Sequence, residues 1–414
     1  MTSSSPSYVL DRAKGQGSRA KGQGSRARGL GYRAWVFGMM PASLLAGLIL
    51  AGCTPSDGKD EYAEAQKAME AKNYEKAEEL FAKSAELAPD NVDALISLAL
   101  SRIGRGMIKE AKEAATKAAA IAPDDIDVRE LLAQVAWYAG EFEAARTLYL
   151  PLATDEKLPN DVRSQAYAAL GVIDMAMCGT DMQHDWLRDR ARTEFLRAIA
   201  VDRFNATARY QMALLYRDTY GYNEAALESF RAYLQLAKEA DARMQRVQRD
   251  EMPNLTRIIN EANAARPGAA GRDVAVCSQE LKKAEAEWKK GAYTKARQYY
   301  SNANKADPLS YEAALGLAQS WEKAKNGKEN ALKYYQEACK NRTSATKMLI
   351  KTGDLAMELK RYAIATEAYS RALAANAKDI TAIDGLIRAL RKANRAKAAD
   401  VYQQYRDTIP VKKR

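Results

Sequence analysis

Residues 74–81 read Tyr-Glu-Lys-Ala-Glu-Glu-Leu-Phe and lead into Leu87-Ala88-Pro89-Asp90, and about one repeat later the chain reads Ile121-Ala122-Pro123-Asp124. Pro89 and Pro123 are 34 residues apart, as are Ala77 and Ala111. A fixed period of this length is typical of arrays of helical repeats, in which each unit contacts only its neighbours. The sequence therefore predicts an all-α solenoid instead of one compact core.

The inventory of reactive side chains in the 414 residues is small. There is one histidine, His184, and there are four cysteines, Cys53, Cys178, Cys277 and Cys339. Nucleophilic catalysis needs an activated nucleophile with a base in reach, and structural zinc prefers Cys/His clusters. We therefore expect no catalytic site, no metal and no cofactor.

Two local arrangements offer alternatives to that expectation. Cys178 lies six residues before His184, so the two could form a catalytic pair. Catalysis would need a third residue to orient them, and without one they are an incidental pair in a loop. His184 with Asp181 and Asp185 is an equally sparse set of metal ligands.

The net charge of +11 averages three unlike segments. Residues 1–52 hold seven basic and one acidic side chain, residues 53–271 hold 28 and 36, and residues 272–414 hold 29 and 16. An acidic half is thus followed by a basic half. The basic half is compatible with an acidic partner, a lipid headgroup or an anionic polymer, although a solvated basic face is the simpler alternative.

The first fifty residues have the composition of a leader. Residues 13–19 and 20–26 are near-duplicates rich in Gly, Lys and Arg, which cannot bury a core and favour an unstructured leader or sequence upstream of the true start over an RNA-binding arm. An uncharged apolar run, Ala34–Gly52, then follows Arg33. A basic segment, an apolar segment and small residues near a cleavage point make up a secretory signal.

The apolar run ends in Leu50-Ala51-Gly52-Cys53, which resembles the lipobox of bacterial lipoproteins. That resemblance implies cleavage after Gly52, acylation of Cys53 with palmitate among the chains, and a polar tether at 53–57. Thr54 stands where this family carries Asp for inner-membrane retention, so the resemblance favours the periplasmic side of the outer membrane. An uncleaved membrane anchor is the alternative, although the run is short and contains a proline.

The repeat units resemble the tetratricopeptide repeat, which pairs two antiparallel helices and stacks the pairs into a right-handed superhelix. Small residues at the helix crossing allow close approach, a large side chain fills the adjacent groove, and a proline ends the second helix. The sixth unit shows all these positions: Ala284, Trp288, Gly291, Tyr293, Ala296, Tyr300, Ala303 and Pro308.

The pattern predicts two arrays behind the leader. The predicted organisation is a leader and signal peptide at 1–52, a lipidated cysteine and tether at 53–57, a first array of about five repeats at 58–240 with an insertion at 178–187, a capping helix and hinge at 241–273, a second array at 274–407 and a basic tail at 408–414. The second array comprises three repeats and a terminal helix pair that resembles a cap. Within the hinge segment, Pro253 is expected to start a fresh helix at 254–265.

The resemblance also implies which side chains line a concave, partner-binding groove. The implied residues are Glu130, Gln134, Trp137 and Tyr138 in the third repeat, Tyr210, Leu214 and Arg217 in the fifth, and Glu285, Trp288, Lys289, Gln319, Lys323, Lys347 and Asp354 in the second array. For Trp137 and Trp288, burial in the core is an open alternative to exposure.

A disulfide between Cys277 and Cys339 is not expected. The two residues are 62 positions apart, nearly two repeat units, and a disulfide requires Cα atoms within about 7 Å. We expect buried free thiols.

Two functional hypotheses follow. The preferred one is a non-enzymatic, membrane-anchored scaffold that binds protein partners in its groove during envelope assembly or secretion, similar to the tetratricopeptide lipoproteins of type IV pilus pilotins or outer-membrane assembly, without nucleic acid as a partner. The alternative is an accessory lipoprotein of exopolysaccharide export that contacts an anionic polymer through its basic second array.

Overall fold

The computed structural model of the protein describes residues 58–179, 185–237, 242–341 and 345–409. The predicted leader, signal peptide, lipidated Cys53 and tether lie outside these residues, as do His184, Asp181 and most of the basic tail. The described residues form helices joined by turns, without a strand. The prediction of an all-α solenoid is confirmed.

In the segment predicted as the first array, each helix packs on the next one in the chain. The helices are α1 Lys59–Glu70, α2 Tyr74–Leu87, α3 Val92–Gly104, α4 Ile108–Ile121, α5 Ile126–Tyr138, α6 Phe142–Thr154, α7 Asn160–Cys178, α8 Trp186–Val201, α9 Ala206–Leu215 and α10 Asn223–Leu236. A π-helical turn, Tyr216–Tyr220, extends α9.

From Val274 onward each helix again packs on the next one in the chain, whereas the helix Met252–Ala264 of the predicted hinge segment packs back on α10. The remaining helices are α11 Ala242–Arg246, α12 Met252–Ala264, α13 Val274–Lys289, α14 Tyr293–Ala306, α15 Tyr311–Glu322, α16 Lys328–Asn341, α17 Thr346–Glu358, α18 Tyr362–Ala375, α19 Ile380–Lys392 and α20 Ala396–Asp407. A short 3₁₀ turn, Ala269–Gly271, lies between α12 and α13.

The helix that Pro253 was expected to start is present as α12, although it continues a helical segment that begins before the proline. A π-helical turn, Val247–Glu251, joins α11 directly to α12, and Pro253 lies in the first turn of α12. The amide of Met252 donates to the carbonyl of Val247, five residues back, so the backbone stays helical through a wider turn. Such a turn accommodates a residue that has no N–H to donate.

Short polar side chains define the first helix of many pairs. The Asn91 side chain accepts a hydrogen bond from the amide of Ala94, Ser310 accepts one from Ala313 and Asp379 accepts one from Ala382. Each bond satisfies one of the amides that a helix start leaves unpaired. The start of each of these helices is thus determined by a local N-cap residue.

The core consists of small residues at helix crossings with an aromatic ring beside them. A Cβ atom added to Gly316 would lie 2.2 Å from the ring of Tyr300, and one added to Gly171 would lie 2.6 Å from the ring of Phe195. The Tyr369 ring approaches both Gly353 and Gly385 in the same way. These distances leave no room for even a methyl group. A ring at one of these positions therefore requires glycine at the facing position.

Candidate functional site

Two neighbouring inter-helix turns in the second array form a surface rich in aromatic and basic side chains. We define the turn surface as residues 288–298, around the end of α13 and the start of α14, and 321–328, after α15. The centroid of the Trp288 ring lies 4.9 Å from that of Tyr293 and 6.5 Å from that of Tyr300. Tyr293 is 37% exposed, so the cluster reaches from the core to the solvent.

Cationic side chains lie over the rings of this surface. The guanidinium carbon of Arg297 is 4.2 Å from the centroid of the Trp321 ring, and the Lys323 ammonium is 5.9 Å from that of Tyr293. A cation within about 6 Å of an aromatic face is attracted by the ring quadrupole. These pairs hold the Trp288 cluster and Trp321 in one continuous patch.

A cleft of about 420 Å³ adjoins the turn surface. It is lined by Glu322, Lys351, Asp354, Leu355, Met357, Glu358, Tyr369 and Arg388. Lys351 forms an ion pair with Glu322 at 2.9 Å, and the Tyr369 hydroxyl donates to Asp354 at 2.6 Å. Burial alone would raise the pKa of Glu322, but hydrogen bonds from Lys351 and Tyr335 outweigh it and lower that pKa. The cleft therefore presents charges of both signs.

The last helix, α20, packs on α8, and a buried cation lies at this contact. Arg192 has no solvent exposure. Its guanidinium donates to the Ser370 hydroxyl, to the Ser370 carbonyl at 2.5 Å and to the Tyr402 hydroxyl at 3.3 Å. The rings of Tyr216 and Tyr220 lie 5.4 Å and 5.3 Å from the guanidinium carbon. One side chain thus joins the fourth predicted repeat to α18 and α20.

One turn earlier on α8, a buried carboxylate completes the same contact. Asp189 accepts hydrogen bonds from the hydroxyls of Tyr220 and Tyr402, at 3.0 Å and 2.9 Å, and pairs with Arg395 at 2.9 Å. We name Asp189, Arg192, Ser370, Arg395 and Tyr402 the clasp. A buried ionic group is costly unless it is paired and hydrogen-bonded, and both segments must be docked to supply the hydrogen bonds and the ion pair of the clasp.

A second buried ionic network lies beside the clasp. The Asp174 carboxylate accepts from Arg190 at 2.7 Å and 2.9 Å and from Arg146 at 3.1 Å, and Arg146 also reaches Glu194 at 3.4 Å. Burial raises the pKa of Asp174 to about 6, against the opposing effect of the two arginines. The network ties α6, α7 and α8 together next to the predicted insertion.

The predicted groove residues fall into two groups. Gln134, Trp137, Tyr210 and Leu214 are buried in the first array, and the Trp137 ring lies 5.1 Å from that of Phe142. Their burial leaves little side-chain surface for a partner, contrary to the accessible groove positions that were expected for them. Of the two alternatives left open for Trp137, burial is the one found.

The other predicted groove residues are at least partly accessible. Glu130, Tyr138, Arg217, Trp288, Gln319 and Asp354 are half-buried, whereas Glu285, Lys289, Lys323 and Lys347 are exposed. Trp288, Lys289 and Lys323 lie in the turn surface, and Asp354 lines the cleft. Their role in partner binding remains a prediction.

The cysteines occupy structural positions. Cys277 and Cys339 are buried free thiols, so the prediction that they do not pair is confirmed. Cys178 is buried at the end of α7. No group of three or more His, Cys, Asp or Glu side chains suited to a metal ion is found within the described ranges.

Across the part of the chain that the structure describes, no helix combines the length and the apolar character that crossing a bilayer requires.

The chain contains tetratricopeptide repeats, since residues 68–135 and 281–346 match two sequence profiles of that repeat. Among curated proteins, none has a sequence that matches this chain significantly.

Solved structures match this chain at low identity. The hetero-tetramer Cut9–Hcn1 of the APC/C matches at 15% identity over 86% of this chain and 79% of that chain, with a TM-score of 0.34. Pseudomonas aeruginosa pilF matches at 19% identity over 51% and 93%, with a TM-score of 0.37, and MamA at 16% over 47% and 96%, with a TM-score of 0.33.

Replacing Arg192 by Ala should release the terminal helix pair. The change leaves the Ser370 carbonyl and the Tyr402 hydroxyl without the buried donor that they share, which should lower the free energy of unfolding by about 2–4 kcal/mol. Hydrogen exchange measured by mass spectrometry should accelerate in 186–201 and 396–407 and stay unchanged in 59–121. Arg257→Ala, at an exposed pair with Glu261, is the control and should alter neither. Unchanged exchange in 396–407 in the Arg192 variant would contradict the clasp.

Proposed function

We propose that this chain is a lipid-anchored, non-enzymatic scaffold of the bacterial envelope, whose second array captures a segment of another protein. Tetratricopeptide repeats are a scaffold for protein–protein interaction, and the chain contains them on both sides of residue 241. The turn surface is the observation that carries the proposal. Aromatic and arginine side chains are enriched at protein interfaces and supply most of the binding energy there.

The turn surface is built before a partner arrives. Trp288 and Tyr300 belong to one packed cluster with Ala284, Ala296 and Leu317, so the rings are held by the core behind them. A surface of this kind loses little conformational entropy on binding, because its side chains are already ordered. The partner segment then bears most of the ordering cost.

Membrane attachment is the second part of the proposal. The sequence Leu50-Ala51-Gly52-Cys53 supports acylation of Cys53, and the polar residues that follow provide a tether. Two or more acyl chains give stable anchoring, whereas one gives marginal binding. We place the protein on the periplasmic side of the outer membrane, in pilus or outer-membrane biogenesis or in secretion.

A second candidate function is an accessory role in exopolysaccharide export. The 29 basic and 16 acidic side chains of residues 272–414 favour it. Retention of the full chain on an anionic polysaccharide column, lost as salt is raised, would support this candidate over protein capture.

Replacing Cys53 by Ala should abolish acylation. In bacteria fed radiolabelled palmitate, the wild-type chain should carry label and fractionate with the outer membrane, and the Cys53→Ala variant should carry none. Cys277→Ala, at a buried cysteine that the lipobox does not include, is the control and should stay labelled. Equal labelling of Cys53→Ala, or wild-type protein in the cytosol, would refute the anchor.

Replacing Trp288 and Lys289 together by Ala should weaken partner capture while helicity is maintained. The pair removes a half-buried ring and an exposed charge of the turn surface, which should cost at least about tenfold in affinity. Capture is measured by crosslinking and mass spectrometry in native membranes, and helicity by circular dichroism. Leu148→Ala with Lys109→Ala removes an exposed apolar and an exposed basic side chain from the first array and serves as control. Capture equal to wild type in the Trp288 variant would reject the proposal.

A further inference from the structure

We propose that the turn surface binds an acidic polypeptide segment that also carries apolar side chains. This inference rests on the proposed function and narrows the partner to a chemical class. It is drawn from the charges of the surface, from its aromatic rings and from the adjoining cleft.

The charge of the turn surface is strongly one-sided. Its two segments contain seven basic side chains, Lys289, Lys290, Lys295, Arg297, Lys323, Lys325 and Lys328, and one acidic side chain, Glu322. Glu322 is already paired with Lys351, and Lys290 and Lys328 pair with Glu287 and Glu358, which lie outside the two segments. Lys289, Lys295 and Lys325 are exposed and form no ion pair with any residue that the structure describes. A partner carboxylate would therefore meet unneutralised cations.

The fold does not require this charge. The equivalent turn of the first repeat, residues 70–79, carries four acidic and two basic side chains, and its Tyr74 occupies the position of Tyr293. Both turns have the same architecture, with a left-handed residue, Lys72 or Gly291, before the second helix. The turn therefore folds with either a net negative or a net positive charge. We attribute the basic side chains of the turn surface to binding and not to folding.

The rings explain why an acidic segment should also be partly apolar. Trp288, Tyr293 and Trp321 lie between the cations, and Tyr293 exposes more than a third of its surface. Interfaces commonly place an aromatic core inside a charged rim, and the core supplies affinity while the rim supplies selectivity and a faster encounter. A leucine or phenylalanine of the partner would cover the rings, and its carboxylates would reach the surrounding lysines.

The cleft favours a polypeptide over a uniformly charged polymer. Glu322, Asp354 and Glu358 line it beside the turn surface. Lys351 and Arg388 line it as well, so a linear polyanion that extends from the basic turns would meet charges of both signs, which its uniform charge cannot match. A polypeptide can place neutral or basic side chains there and keep its acidic residues over the lysines.

The test compares two fluorescein-labelled twelve-residue peptides with the full chain in detergent micelles. One peptide contains Asp, Glu and two Leu, and in the other each Asp and Glu is replaced by Asn or Gln. Fluorescence anisotropy should show the acidic peptide bound at least about tenfold more tightly in low salt. The basic leader is present in every sample, so it contributes equally to all comparisons.

The decisive variant is Lys289→Gln/Lys295→Gln/Lys323→Gln/Lys325→Gln, which should weaken binding of the acidic peptide about tenfold and leave the amide peptide unaffected. Its matched control is Lys67→Gln/Lys109→Gln/Lys117→Gln/Lys157→Gln. These four lysines of the first array are also exposed and unpaired within the described residues, so the net charge changes equally. Wild-type affinity in the control shows that position, not total charge, decides binding.

Several outcomes would overturn the inference. Equal binding of both peptides, or equal loss in both quadruple variants, leaves no specific acidic site. If polygalacturonate binds, and only its binding depends on the turn lysines, the surface belongs to a glycan. If the chain is a dimer that dissociates in the turn variant but not in the control, the surface binds a second copy of this chain. If the Trp288/Lys289 variant loses native capture while the acidic peptide shows no preference, the scaffold proposal stands and the acidic partner is rejected.

Discussion

The buried guanidinium of Arg192 is the constraint on which the arrangement of the two arrays depends. A cation removed from water is costly unless it is hydrogen-bonded, and here the two terminal nitrogens of Arg192 donate to Ser370 and Tyr402, far along the chain, while its Nε has no hydrogen-bond partner. Without the terminal helices, Arg192 would face solvent and the tyrosines around it would lose their contacts. Docking of the terminal helices on α8 is therefore coupled to the hydrogen bonds of a single side chain, Arg192.

This coupling gives the terminal helix pair a role that a simple cap lacks. A solenoid is held by contacts between neighbouring repeats, so its stability is normally a sum of local terms. The clasp adds contacts across about 200 residues, between Asp189 and Arg395 and between Arg192 and Tyr402. The orientation of the basic repeats, and with it the turn surface, is thereby linked to the first array.

The sequence predicts those parts of the structure that depend on local spacing. Ala77, Ala111, Ala296 and Tyr300 can be assigned their packing role from the repeat period, since a helix crossing needs a small residue and a ring at fixed positions. The clasp could not be predicted, because Arg192 and Ser370 belong to repeats that no local pattern relates. The burial of Tyr210 has a different, local cause: the rings of Phe230 and Tyr233, at 5.9 Å and 5.2 Å, cover it from the following helix, and the repeat pattern does not specify these contacts.

Closure of the chain is tested most directly by photo-crosslinking within the folded protein. The Lys397 ammonium lies 5.6 Å from the ring of Trp186, so a benzophenone amino acid in place of Lys397 should crosslink within one chain to the tryptic peptide of residues 164–188. The account predicts that this crosslink dominates in native protein and disappears in urea. Native crosslinks confined to the neighbouring helices α17–α19 would contradict it.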